Sequence, residues 1–132
     1  MSESDNLELI RNVYGMFARG DVPAILETLT DDIDWHLLGP AEMPLGRPRR
    51  GKEEVLQFFR TIGEELKVES FEPHEFLADG DRVVVTGFEK MRVAATGRSY
   101  EVEWLHLFTV RDGRIARFRE YTDTAAVLAA QG

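Results

Sequence analysis

Apolar residues recur at helical spacing in the first part of the chain and predict two helices. Asp5 is a suitable N-cap for the first helix, and Gly20 ends it. Its apolar side chains share one face: Leu7, Ile10, Tyr14 and Phe17. We expect Asp21 to cap the second helix, with Pro23 in its first turn and Asp31-Asp32 at its end.

The next segment changes from a strand pattern to a loop and then to a third helix. Residues 33–38 have the composition of a short strand, and the stretch from Gly39 to Gly51 contains three prolines. Loops of this length within a domain are commonly functional or mobile. Apolar spacing then predicts a third helix over about residues 52–65.

From Lys67 onward, apolar and polar residues alternate with period two. This pattern predicts four strands at about residues 67–77, 82–94, 99–110 and 114–121. The short, turn-forming segments between them favour an antiparallel meander, and residues 122–130 form a terminal helix capped by Thr122 or Asp123. The chain is therefore predicted to be a single α+β domain, residues 1–132, with its helices packed on one face of a strongly curved sheet.

Strand periodicity also predicts which side chains point into the space between helices and sheet. On the third long strand the inward row is Val102, Trp104, His106, Phe108 and Val110. On the neighbouring strands, Glu89 shares a row with Val85, Gly87, Met91 and Val93, and Glu120 shares a row with Ala116 and Phe118. Polar groups on apolar inward rows are typical of a small-molecule pocket.

If these rows meet in one cavity, they supply groups that can transfer protons. The candidate catalytic residues are His106, Glu120, Glu89 and Tyr14. The candidate substrate-binding residues are Trp35, Leu37, Met91, Trp104 and Phe118. Two carboxyl groups in an apolar cavity resist ionising together, so one can act as an acid and the other as a base.

Each candidate also has a structural interpretation. A β-bulge would turn Glu89 outward to pair with Arg92 or another surface cation. Glu120, which is flanked by Arg117 and Arg119, would belong to a solvated salt-bridge face. His106 would be a core histidine bonded to a neighbour, and Tyr14 and the tryptophans would be core packing.

Composition narrows the classes of function. The 132 residues include 24 Asp plus Glu against 16 Lys plus Arg, a net charge of −8, and no Cys. This balance argues against nucleic acid and membrane partners, and the missing thiol excludes a cysteine nucleophile. We interpret the basic cluster Arg47, Arg49, Arg50 and Lys52 as a solvated loop. We expect no metal and no cofactor, and the polar start of the chain predicts a cytoplasmic protein.

Several segments spread over nearly the whole chain resemble a known family. They are Gly20-Asp21, residues 29–35, residues 51–55 with Phe58-Phe59, residues 78–81, residues 96–100, residues 112–115 and residues 119–123. On these segments the chain resembles SnoaL-like and ketosteroid-isomerase-related proteins of the nuclear-transport-factor-2-like superfamily. The resemblance implies a cone-shaped α+β fold with three N-terminal helices on a mixed, mainly antiparallel sheet. This superfamily includes isomerases, cyclases, hydrolases, dehydratases and proteins without chemistry.

Two characterised branches imply different site residues. Against ketosteroid isomerases, Leu37 stands where those enzymes have their general base, while their oxyanion-hole residues fall close to His106 and Tyr14. Against limonene-epoxide-hydrolase-like proteins, Glu89 and Glu120 fall on the two catalytic aspartates. Gly87, Trp35 and Leu37 then replace the bridging arginine and the groups that hold the water.

The sequence thus predicts a cofactor-independent enzyme of isomerase, cyclase or hydrolase type that acts on a small apolar organic molecule by general acid/base catalysis. Glu120 or Glu89 would be the base, His106 the acid or electrophile, and Tyr14 an auxiliary donor. The alternatives are a non-catalytic protein that binds a small hydrophobic ligand in the same cone, and a structural protein with a filled core. Apolar residues on the outer sheet face predict a homodimer.

Overall fold

The computed structural model describes residues 2–132, in which four helices and six strands form an α+β domain. The helices are α1 (Glu3–Ala18), α2 (Val22–Glu27), α3 (Gly51–Glu65) and α4 (Thr124–Ala129). The strands are β1 (Leu29–Leu37), β2 (Arg49–Arg50), β3 (Leu66–Asp79), β4 (Arg82–Val93), β5 (Ser99–Arg111) and β6 (Arg114–Thr122). The predicted fold class is confirmed, and the four long strands lie within two residues of the predicted bounds.

The first helix begins earlier than predicted, because Ser2 and not Asp5 is its N-cap. The Ser2 hydroxyl accepts the Asp5 N–H at 3.0 Å, and the Asp5 carboxylate accepts the Ser2 N–H at 3.1 Å. This reciprocal pair is a capping box, which satisfies two backbone donors at once. The predicted cap of α2 is confirmed, since the Asp21 carboxylate accepts the Ala24 N–H at 3.2 Å.

The prediction that Asp31-Asp32 ends the second helix is wrong. Helix α2 ends at Glu27, and β1 already begins at Leu29, which pairs with Ile115 of β6. Leu29 is fully buried in this strand, so its apolar side chain belongs to the sheet and does not extend the helix. The two aspartates occupy exposed positions on β1, where Asp32 accepts a hydrogen bond from Arg111 at 2.7 Å and Asp31 lies 3.7 Å from the Lys52 amine.

The strands form one open mixed sheet in the order β2-β1-β6-β5-β4-β3. The predicted meander is confirmed, since β3 to β6 pair antiparallel in sequence order. Strand β1 joins it by parallel pairing with β6. The short β2, which pairs antiparallel with β1, was not predicted.

Helices cover the inner face of this sheet, with α1 on β3 and β4, and α3 on β1 and β3. Burial alternates along β4 and β5 as the predicted inward rows require. On β6 the row is correct at Phe118 and Glu120 but not at Ala116, because Ile115 is the fully buried residue. A shift of register in the β5–β6 pairing, between Thr109 and Val110, causes this change of side.

The basic cluster before α3 is not uniformly solvated, contrary to the prediction. Arg49 is 3% exposed, because the pairing of β2 with β1 places it on the inner side, opposite Trp35. Its guanidinium lies 5.5 Å from the centre of the Phe58 ring and donates to the Glu54 carbonyl at 3.2 Å. Arg50 is exposed as predicted. In the part of the chain described, none of the helices has the length and apolar character needed to cross a membrane.

Candidate functional site

A cavity of about 100 Å³ lies between the inner face of the sheet, helices α1 and α3, and the loop that joins β1 to β2. Most of its wall is apolar. Its main polar groups come from four elements: Tyr14 of α1, Glu89 of β4, Tyr100 and His106 of β5, and Glu120 of β6. Among residues 2–132, no lysine or arginine lines it. The predicted catalytic residues thus border one cavity.

Tyr14, His106 and Glu120 form a continuous hydrogen-bonded chain. The Tyr14 hydroxyl lies 2.6 Å from His106 Nδ1, and His106 Nε2 lies 2.8 Å from Glu120 Oε1. His106 and Glu120 are directly opposite each other in the β5–β6 register, and both side chains are buried. The surface interpretation of Glu120 is therefore wrong, because its carboxyl group is enclosed and bonded to the imidazole.

The protonation state of Tyr14 is consistent with one assignment of these hydrogen bonds. Burial, reinforced by the charge of Glu120, raises the pKa of the Tyr14 phenol well above its usual range, so the hydroxyl keeps its proton. We assign Tyr14 as the donor to Nδ1, which places the imidazole proton on Nε2, where it is donated to the Glu120 carboxylate. Both nitrogens of His106 are then occupied by protein groups.

Trp104 packs against one face of the His106 imidazole. Its ring stacks on His106 with a centroid distance of 4.0 Å and an interplanar angle of 16°. The indole fills the space above Gly87, where an added Cβ would overlap it. Trp104 was predicted as a cavity wall, but it lies outside the set of lining residues and supports His106 instead.

Glu89 is the second buried carboxyl group of the cavity. It is 7% exposed, so the predicted inward orientation holds and the outward bulge does not. Burial, together with the charge of Glu120, raises the pKa of Glu89 from 4.5 to about 8. At neutral pH this carboxyl group is therefore mainly protonated and able to donate a hydrogen bond.

Tyr100 is a cavity residue that was not predicted from the sequence. It is 8% exposed and lies on the inward row of β5, two residues before Val102. Burial and the charges of Glu89 and Glu120 raise the pKa of its phenol, so it also remains a donor. Extending the predicted row by one step of period two would have found it.

The remaining predicted wall residues line the cavity: Trp35, Leu37, Met91 and Phe118. Trp35 stacks on Phe118 at 4.0 Å, consistent with their direct pairing across β1 and β6. The β1–β2 loop closes one side with apolar residues that were not predicted: Met43, Pro44 and Leu45. A periodic pattern could not identify them, because this loop has no regular secondary structure.

The other two histidines lie outside the cavity lining, as predicted. His36 contacts the Gly46 carbonyl at 3.1 Å, and the exposed His74 contacts Glu72. In residues 2–132, no three His, Cys, Asp or Glu side chains are grouped so that they could hold a metal ion. The titratable side chains that the cavity presents carry carboxyl, imidazole and phenol groups.

Known proteins are similar to this chain over nearly its whole length. An NTF2-like protein from Burkholderia xenovorans LB400 is 33% identical, with 100% of this chain and 99% of that chain covered and a TM-score of 0.90. TerC, co-crystallised with polyporic acid, is 28% identical, with coverage of 96% and 97% and a TM-score of 0.85. An uncharacterised protein of Mycobacterium tuberculosis strain H37Rv is 26% identical over 128 residues, or 96% of this chain and 95% of that protein.

The family model described as the SnoaL-like domain matches residues 10–118. This match spans α1 to β6 and so includes Tyr14, Glu89, His106 and the walls between them. The resemblance stated from the sequence is confirmed by this match and by the NTF2-like fold of the structural neighbours. The chain belongs to the SnoaL-like domain family, with an NTF2-like fold.

Proposed function

We propose that this protein is a small enzyme of isomerase, cyclase or hydrolase type that transfers protons to and from a small, largely apolar organic molecule. The observation that carries the proposal is the pair of buried carboxyl groups, Glu89 and Glu120, at one apolar cavity in different environments. A site that keeps one acid protonated beside a second carboxyl group supplies a general acid and a general base together.

Glu120 is the base in this proposal. Its Oε1 accepts the hydrogen bond from His106, which leaves Oε2 to receive a proton from the substrate. His106 fixes the orientation of the carboxylate, and Tyr14 fixes the imidazole through Nδ1. The prediction that His106 is itself the acid or electrophile is less well supported, because both of its nitrogens already have protein partners.

Glu89 is the acid. In the simplest step, the Glu120 carboxylate takes a proton from a carbon next to a carbonyl group, while Glu89 donates its proton to the carbonyl oxygen, giving an enol. Where the enol is conjugated to a second double bond, Glu120 returns its proton to the far carbon while Glu89 takes back the hydroxyl proton, which completes an isomerisation. Alternatively, the enol carbon attacks a second carbonyl, Glu120 protonates the new alkoxide and Glu89 takes back the hydroxyl proton, which completes a cyclisation. TerC, with a similar structure, was co-crystallised with an organic molecule, polyporic acid, which supports a small organic ligand here.

Hydrogen exchange of ketones in deuterated water tests the proposed base. We expect the wild-type protein to accelerate loss of the α-hydrogen NMR signals for members of a panel of phenylacetone, 2-indanone and 2-tetralone. Glu120→Gln should reduce this rate by about a hundredfold or more, because proton-transfer groups contribute ~10²–10⁴ to rates. Glu103→Gln, on the exposed face of β5, is the matched control and should leave the rate unchanged.

Absence of acceleration for every ketone in the panel would contradict the proton-abstraction step. Equal rates for the wild type and Glu120→Gln would show that Glu120 is not the base. Because Gln and Glu have nearly the same shape, circular dichroism of the two proteins verifies that any loss is not a folding defect.

A binding protein without turnover is the alternative function. The satisfied Tyr14–His106–Glu120 chain favours it, since mutual hydrogen bonding also stabilises a static cavity wall. A binding protein would show ligand-induced NMR shifts of its Trp35 indole signal but no exchange of ketone hydrogens. Glu120→Gln would then change affinity modestly and no rate.

We also propose that the protein is a homodimer through the outer face of the sheet. Val84, Phe88, Leu105 and Leu107 are only half-buried on this face, and Tyr121 is 46% exposed. A partly apolar sheet face of this kind favours contact with a second copy. Sedimentation analysis should give a dimer, and a monomer at micromolar concentration would contradict this proposal.

A further inference from the structure

Two buried polar side chains of the cavity lining take no part in the Tyr14–His106–Glu120 chain. They are the carboxyl group of Glu89 and the hydroxyl group of Tyr100, and both line the cavity. In the β4–β5 register, Tyr100 is opposite Met91, and Glu89 is opposite Val102. Glu89 and Tyr100 are therefore diagonal neighbours on the same inner face, close enough for the charge of Glu89 to act on the phenol.

Neither group has a hydrogen-bond partner within residues 2–132. Burial and neighbouring charges account for the raised pKa of Glu89 and of Tyr100, and no hydrogen bond contributes to either pKa. Buried polar groups in proteins are nearly always satisfied by protein, water or ligand. Because these two oxygens border the cavity, whatever occupies the cavity is in a position to satisfy them.

The two groups define the chemistry that they can recognise. Both carry a proton near neutral pH, so together they present two O–H donors to the cavity. Two donors call for an acceptor, such as a carbonyl or hydroxyl oxygen. An anionic group is disfavoured, because Glu120 borders the same space and no lysine or arginine of the described chain lines it.

We propose that Glu89 and Tyr100 together bind an uncharged oxygen of the ligand, a carbonyl or a hydroxyl group, and that the cavity rejects carboxylates and phosphates. The proposal extends the proposed function by naming the substrate class, and its link to turnover rests on that function. Tyr100 thereby becomes a specificity-determining residue.

Three one-ring probes of similar size test the proposal by binding alone. Ethylbenzene has no oxygen, acetophenone has the same skeleton with a carbonyl oxygen, and benzoate has a carboxylate. One ring is suited to a cavity of about 100 Å³, which is below the ~300–1,000 Å³ of sites for drug-sized ligands. NMR titrations can follow the indole N–H signals of the only two tryptophans, Trp35 and Trp104.

We expect the wild type to bind acetophenone about tenfold more tightly than ethylbenzene, and benzoate more weakly than either. Tyr100→Phe keeps the ring and removes the donor, so the preference for acetophenone should fall about three- to tenfold, the equivalent of one hydrogen bond. Tyr121→Phe, which removes an exposed hydroxyl, is the matched control and should keep the full preference.

Variants of Glu89 separate hydrogen bonding from shape. Glu89→Gln retains an N–H donor and should keep most of the preference for acetophenone, whereas Glu89→Leu removes the donor and should lose it. Glu120→Gln should also keep the preference while losing ketone exchange. Failure of the proposed catalysis is thereby distinguishable from failure of the binding proposal.

Four outcomes would overturn the proposal. The first is that the wild type binds acetophenone and ethylbenzene with equal affinity, and the second is that both Tyr100→Phe and Glu89→Leu keep the full preference for acetophenone. The third is that benzoate binds most tightly of the three probes. The fourth is that no probe at millimolar concentration shifts either indole signal.

Discussion

Replacing Glu89 with glutamine removes a buried acid while keeping a neutral side chain of nearly the same shape. The folded protein holds the Glu89 proton up to about pH 8, whereas an unfolded chain releases it near 4.5. Because the folded-state pKa is the higher one, the wild type loses stability as pH rises between these two values. The glutamine variant has no such loss.

The size of the effect follows from the pKa values. One pKa unit corresponds to about 1.4 kcal/mol, so the rise from 4.5 to about 8 corresponds to about 5 kcal/mol. We expect the stability of Glu89→Gln relative to the wild type to increase by about 3 kcal/mol between pH 4 and pH 7, and to reach about 5 kcal/mol above pH 8.

Urea unfolding of the wild type and Glu89→Gln at pH 4, 5.5, 7 and 8.5 measures this difference. All other titrating groups are common to both proteins, so the difference between the two curves isolates Glu89 and its coupling to Glu120. Glu103→Gln, exposed on β5, is the control and should show a nearly constant difference from the wild type. A stability difference for Glu89→Gln that stays constant from pH 4 to 8.5 would refute the assigned environment of this carboxyl group.

Two further substitutions test the support of His106. Gly87→Ala should destabilise the protein by ~1–3 kcal/mol in urea unfolding, because the added methyl overlaps the Trp104 indole. The control is Gly63→Ala in α3, where an added methyl meets no atom within 4 Å. This variant should be neutral or stabilising. Tyr14→Phe should lower the free energy of unfolding by ~1–3 kcal/mol, because it leaves Nδ1 of His106 without its donor. ¹⁵N NMR of the imidazole should then report a changed tautomer balance. An unchanged spectrum would count against the assigned hydrogen-bonded chain.

The strand pattern predicted the positions of the main polar groups because period two is a strict constraint. It placed Glu89, His106 and Glu120 on inward rows, and all three are buried. They then lie around one cavity because β4, β5 and β6, which carry them, are adjacent in the sheet in sequence order. The resemblance to the SnoaL-like family added the cone shape and the mixed character of the sheet, which local periodicity does not contain.

Other features depend on contacts that the local sequence does not reveal. Arg49 looks like a solvated loop residue, yet pairing with β1 turns it inward over an aromatic ring. Ile115 and Ala116 exchange sides because of one shift of register, which alternation alone cannot locate. The partners of the two His106 nitrogens required knowing how α1 crosses the sheet, a packing property of the whole chain.

The parallel pairing of β1 with β6 has a consequence for folding. Leu29 of β1 pairs with Ile115 of β6, a contact that spans most of the chain, whereas the three pairings among β3, β4, β5 and β6 join strands that are adjacent in sequence. Short-range pairing closes small loops and is fast, while the β1–β6 contact must close a long one. The cavity takes Tyr14 from α1 and Trp35 from β1, on one side of this long loop, and His106 and Glu120 from the antiparallel strands on the other side. The site is therefore assembled only when both ends of the chain have met, so site occupancy reports the completion of folding.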